Sequence, residues 1–315
     1  MKLISFETHG EEKLGALDSG GIVDLARAHE LYSSKIGKAY ANAPKRFPRR
    51  MIDLLELGES ARTYASDLVD YVRNLSSSRS EQLQKQEVLL SMQDVRVLPP
   101  ILVPPKIVCL GLNYRDHAEE AHVPIPERPL LFSKPSTTIA GPEDPVIYPS
   151  ISTQVDYEVE LAVVMGRRGK NVPESHASDC IAGYTVFNDV SARDIQFADK
   201  QWFRGKSFDT FAPTGPCLVL SDQISDPHNL RMELRVNGEA RQRSTTANMI
   251  FKIPQLIAFI SSVMTLQPGD IIATGTPAGV GFYAKPEKRL LKPGDLMEAE
   301  IEGIGVLRNR VISAQ

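Results

Sequence analysis

The 315-residue chain is 42% hydrophobic and 24% charged, ample for a sizeable core, and its net charge of −3 is spread without a long basic run, so a nucleic-acid partner is not expected. Acidic residues appear by Glu7, before any signal-like apolar run, and no apolar stretch is long enough to span a bilayer, so a cytoplasmic protein without membrane association is expected. Cys109, Cys180 and Cys217 lie far apart with no C-x-x-C spacing, which excludes a disulfide framework or a zinc site as the organising feature.

In chain order, residues 2–7 and 13–18 are predicted strands, 21–29 opens a helix, and 51–57 and 61–74 carry apolar residues at helical spacing. The serine-rich stretch 76–80 is a polar break, and 88–97 follows as extended chain. Pro99-Pro100 and Pro104-Pro105 disfavour helix on either side and set a boundary near residue 98. A small α+β N-terminal domain over 1–97 and a catalytic domain over 98–315 are therefore expected. Beyond the boundary, short β-branched runs at 107–112, 155–164, 184–188, 217–220, 230–236, 270–274 and 296–301 read as strands, with one helix over 254–264 that has proline in its first turn. So many strands and so few helices predict a β-rich α+β fold, not a doubly wound sheet. Gly205-Lys206-Ser207 imitates the end of a phosphate-binding loop, but Lys200 stands where that loop requires glycine.

Two segments carry chemistry. In Val155-Asp156-Tyr157-Glu158-Val159-Glu160-Leu161, apolar and acidic residues alternate, so a strand would stack three carboxylates on one face. Such a face is either fully solvated or shares a cation, because like charges at that spacing otherwise force proton uptake. A second acidic group, Asp189, ends the apolar run 184–188, where a charge is best explained as a site residue. Carboxylates without His or thiolate select hard ions with open positions, Mg²⁺ or Mn²⁺, with Ca²⁺ also admissible. In the second segment, Asp116-His117-Ala118-Glu119-Glu120, a helix would put His117 and Glu120 on one side, a general-base pair if buried and an ordinary surface helix if not.

Six stretches, at 111–120, 132–136, 156–161, 188–196, 205–208 and 274–281, together resemble the fumarylacetoacetate hydrolase family, in that family's order and across nearly all of 98–315. The resemblance implies a mixed β-roll around a metal held by Glu158, Glu160 and Asp189, with Asp156 and Asp116 outside that set, in a homodimer acting on a small oxo-acid. It further implies catalytic roles for His117, Glu120 and Lys206, and substrate contacts from Lys134, Gln196 and Thr276. Arg193 reads as a structural partner of its acidic neighbours. The activity expected first is C–C hydrolysis of an acylpyruvate, with water activated by His117. Oxaloacetate decarboxylation, 2-hydroxymuconate-type isomerisation and sugar-acid dehydration are alternatives at the same metal–enolate site, and a structural metal in a binding protein is the non-enzymatic one.

Overall fold

The computed structural model describes residues 1–36 and 46–314. Ten strands run across the main sheet in the order Leu89–Leu90, Gly21–Asp24, Glu11–Asp18, Lys2–Thr8, Ala212–Leu220, Ile181–Asn188, Val159–Met165, Ile271–Ala273, Ile107–Gly111, Leu130–Lys134. Two short strands attach to this path, Arg96–Leu98 on Lys2–Thr8 and Ile139–Ala140 on Ala212–Leu220. A second, five-stranded sheet contains Glu239–Thr245, Arg231–Val236, Leu296–Ile301, Gly305–Ser313 and Val146–Tyr148. Pairing is mixed: most neighbours are antiparallel, but Ile271–Ala273 runs parallel to Ile107–Gly111. The β-rich prediction holds.

The N-terminal strands extend the main sheet directly, since Lys2 and Leu3 pair with Val219 and Leu218. The strand Val159–Met165 shows how one sheet serves two cores. Val159, Leu161, Val163 and Met165 pack in a cluster with the second sheet and the helix Ile253–Val263, while Ala162 and Val164 join a cluster covered by the N-terminal helices. Period-two alternation sends each set to its own face, and both faces are dry.

Two expectations need correction, and a third, the polar break, is borne out. Residues 21–24 form a strand rather than the start of a helix, because they pair with Glu11–Asp18; the helix Leu25–Ile36 begins after Asp24, whose Oδ1 accepts from the Arg27 amide at 3.0 Å. The polar break at 76–80 is present as a kink: Glu59–Lys85 is two helical segments joined at Arg79, whose backbone is non-helical (φ −139°, ψ 24°), and buried Leu83 holds the distal segment on the core. The predicted strand 155–164 is interrupted at Tyr157 and Glu158. There the Asn188 side chain accepts from the Glu158 amide and the Gln242 side chain from the Val159 amide, both at 2.9 Å, in place of ladder bonds. The first fragment, Val155–Asp156, pairs instead with Ser191–Ala192.

Candidate metal centre and pocket

Val159 lies opposite Asn188 in the sheet, and the Asp189 amide donates to the Glu158 carbonyl at 2.9 Å, so the carboxylates that enter and leave two neighbouring strands meet. Glu158, Glu160 and Asp189 are all buried and offer ligand oxygens within 4.8 Å of one another. This rules out the solvated-face reading of the acidic strand. Asp156 turns away from the three. Its Oδ2 accepts from Arg193 Nε at 2.9 Å, and its two oxygens accept from the amides of Gly281 (2.8 Å) and Phe282 (3.0 Å). Gly281 permits that approach, because a Cβ there would sit 2.6 Å from Asp156 Oδ1.

Cations serve two of the three carboxylates. Lys206 Nζ donates to Glu158 Oε2 and Asp189 Oδ2, each at 2.8 Å, and Arg193 donates to Glu158 Oε1 at 2.6 Å. Lys134 is buried, with Nζ 2.5 Å from Asp189 Oδ1 and 3.1 Å from the Val190 carbonyl. Glu160 is different. Its Oε2 accepts from the Gly275 amide at 2.8 Å, while its buried Oε1 has no hydrogen-bond partner, and among the described residues no cation reaches it. Gly275 (φ +95°) turns its amide inward in a conformation that disfavours other residues. Burial raises the Glu160 carboxyl well above the usual range, and Asp189 and Glu158 push it further. Burial acts in the same direction on Glu158, but Lys206, Arg193 and His117 outweigh it and hold that carboxyl at about 2. An orphaned, buried oxygen on one of three clustered carboxylates fits a bound cation. The all-oxygen donor set fits a hard divalent ion such as Mg²⁺ or Mn²⁺.

A cavity of about 190 Å³ opens beside this cluster, with Glu158, Lys206, Gln196, Arg193, His117 and Thr276 among its lining. His117 sits in the helix Arg115–Glu120, fixed at its start by fully buried Tyr114 and by Asp116, which accepts from Ser244 Oγ at 2.6 Å and Asn248 Nδ2 at 3.1 Å. His117 Nδ1 lies 3.4 Å from Glu120 Oε2, and Glu120 Oε1 accepts from the Gly279 amide at 2.9 Å. The ring is buried, which removes the surface-helix reading. Thr276 Oγ1 donates to the Val159 carbonyl at 3.0 Å and accepts from Gln242 Nε2 at 2.8 Å. The structure thus brings His117, Lys206, Gln196 and Thr276 around one space lined also by Glu158, with Glu120 reaching it through His117, and sets Lys134 against Asp189.

Sequence reasoning missed four contributors: Asn188 and Gln242, which organise the strand break, and Trp202 and Tyr283 in the cavity wall. Gln242 is fully buried within the otherwise polar strand Glu239–Thr245, a position local composition does not reveal.

Comparison with known proteins agrees with this geometry. The family model described as "Fumarylacetoacetate (FAA) hydrolase C-terminal" matches residues 106–312. The chain is 44% identical over 317 residues to the mitochondrial oxaloacetate tautomerase of Rattus norvegicus, covering 99% of this chain and 92% of that protein. Among solved structures, fumarylacetoacetate hydrolase from Exiguobacterium antarcticum superposes with a TM-score of 0.76 at 32% identity, covering all of both chains. The 5-carboxymethyl-2-hydroxymuconate delta-isomerase of Mycobacterium smegmatis gives a TM-score of 0.72 at 33% identity with the same coverage.

Proposed function

The chain belongs to the fumarylacetoacetate hydrolase family, and from its site we propose that it is a divalent-metal-dependent keto–enol tautomerase of a 2-oxo acid of the oxaloacetate class. The observation that carries this reading is buried His117, paired with half-buried Glu120, lining a cavity of about 190 Å³ together with Glu158 of the oxygen-only carboxylate cluster. That volume is below the roughly 300–1,000 Å³ of sites for drug-sized ligands and suits a short acid. The likeness to an oxaloacetate tautomerase extends through the N-terminal residues as well as the matched domain, and favours isomerising chemistry over the C–C hydrolysis expected first.

A divalent ion held by Glu158, Glu160 and Asp189 would supply Lewis acidity towards the oxo and carboxylate oxygens of the substrate. The chain's own residues move the proton. The ring nitrogen of His117 not facing Glu120 takes a proton from C3 of the keto form; the C2 oxygen gains one, and a C2–C3 double bond replaces the C2–O double bond. The reverse steps return the keto acid. Glu120 stabilises the imidazolium and is itself oriented by the Gly279 amide. Lys206 keeps positive charge beside Glu158 and Asp189 at the inner end of the cavity, favouring an anionic substrate and the negative charge that develops on its oxo oxygen. Gln196, whose Oε1 accepts from Arg193 at 3.1 Å, and Thr276 frame the same end.

The test follows decay of the ultraviolet absorbance of freshly dissolved enol-oxaloacetate with protein and Mg²⁺ or Mn²⁺, against the uncatalysed rate in the same buffer. Acceleration that falls about 10²–10⁴-fold in His117→Ala, the usual worth of a positioned base, supports the reading. No acceleration by wild-type protein with either metal would sink it. Acylpyruvate hydrolysis is the second reading, favoured by the same His117–Glu120 pair, and release of pyruvate from acetylpyruvate would identify it.

A further inference from the structure

The cavity lining joins a small charged group to a larger apolar wall, and Lys206 Nζ over the Phe132 ring, 5.2 Å from its centroid, marks where they meet. Its charged lining residues, Glu158, Arg193 and Lys206, lie at the carboxylate cluster, and both cations there are already engaged: Arg193 with Asp156, Glu158 and Gln196, Lys206 with Glu158 and Asp189. The remaining wall is built from apolar and aromatic side chains, including Leu112, Val123, Phe132, Phe197, Trp202 and Tyr283. Two aromatic pairs stiffen it. Trp202 meets Phe132 edge-on with ring centroids 5.4 Å apart, and Phe197 packs on Phe282 at 4.9 Å. Phe197 is 48% exposed and Val123 36% exposed, apolar surface left at the cavity rim. Among the described lining residues, the one remaining group able to carry positive charge is His117, and it faces Glu120.

An oxo-acid with its 2-oxo and C1 carboxylate groups at the cluster directs its C3 substituent onto this wall. A carboxylate there shares Lys206, whose Nζ sits 5.2 Å from the Phe132 ring centroid, with Glu158 and Asp189, whereas an aryl or branched alkyl group covers apolar surface otherwise left in water. We propose that the enzyme also tautomerises 2-oxo acids with an apolar C3 substituent, the aryl- and alkylpyruvates, and that Phe197 and Val123 set its preference between these and dicarboxylic substrates. This rests on the tautomerase reading above. The reaction is the same proton transfer between C3 and the C2 oxygen and needs no co-reactant.

Phenylpyruvate serves as the probe. Enol decay is measured beside oxaloacetate with the same protein and Mg²⁺, each corrected for its uncatalysed rate, and the readout is the ratio of kcat/KM for phenylpyruvate to that for oxaloacetate. Wild-type protein is expected to accelerate both. One apolar contact is worth roughly 10-fold or more in such a ratio, so Phe197→Ala should lower it by about that factor. Val123→Arg, which supplies a cation at the rim, should lower it as well, and because Val123 lies outside the helix that carries Phe197, this variant keeps the test valid if Phe197→Ala folds poorly. Activity on oxaloacetate with none on phenylpyruvate overturns this inference and leaves the tautomerase reading standing. An unchanged ratio in both variants also overturns the role of the wall, and inactivity on both substrates overturns the two readings together.

Discussion

Replacing Glu160 with glutamine should make the metal-free protein more stable than wild type and remove the stabilisation that Mg²⁺ gives. In the metal-free state the buried Oε1 has no hydrogen-bond partner, and Asp189 and Glu158 crowd the carboxyl and push it up. Glutamine keeps an oxygen for the Gly275 amide and puts an amide donor where the orphaned oxygen was, facing Glu158 and Asp189. Relief of one unsatisfied buried group is worth about 1–3 kcal/mol. Unfolding entropy of about 2.1 cal/mol/K per residue over 315 residues gives roughly 0.7 kcal/mol/K, so Tm in chelator should rise by about 2–4 °C. With Mg²⁺ at 100 times its Kd, wild-type protein gains about 2.7 kcal/mol, or roughly 4 °C, which the variant forfeits with its ligand. Differential scanning calorimetry at pH 8, in EDTA and in excess Mg²⁺, reads both effects. A variant less stable than wild type in EDTA, or one that keeps the full Mg²⁺ shift, would refute the reasoning.

Three further outcomes follow. Mg²⁺ binding should release protons and tighten with rising pH, because Glu160 is raised in the metal-free protein and must lose its proton to become a ligand; calorimetric titration in buffers of differing ionisation enthalpy would show it, and heats independent of buffer would count against it. Asp156→Asn removes the charge that Arg193 Nε meets at 2.9 Å in a fully buried pair, so it should cost about 3–5 kcal/mol, read as a lower midpoint in denaturant titration. His117→Ala should leave the Mg²⁺-induced Tm shift near its wild-type value while abolishing most turnover, since its ring contacts Glu120 and not the carboxylate cluster; loss of both would make it a structural element of the metal site.

Much of this was legible in the sequence because periodicity reports burial. The strands that carry the site were found within a few residues, and alternation in 155–161 marked the acidic segment. The strict alternation was misleading about direction, however. The break at Tyr157 and Glu158 depends on side chains from Asn188 and Gln242, 30 and 83 residues away from the amides they bind, and no local pattern reports a bond made at that distance. Lys134 illustrates the same limit. Its neighbourhood matches a known family pattern, but only the register between Ile107–Gly111 and Leu130–Lys134 shows that its amine reaches Asp189. The residues 21–24 were read as helix for a related reason: their strand exists through pairing on both edges and not through their own composition.

The most direct test removes the metal and restores it. Protein stripped with EDTA and returned to chelator-free buffer should lose its acceleration of enol-oxaloacetate decay and regain it on titration with Mg²⁺ or Mn²⁺, with Glu160→Gln failing to recover under the same conditions. Undiminished turnover in the stripped protein, or full recovery by Glu160→Gln, would contradict a reaction centred on Glu158, Glu160 and Asp189.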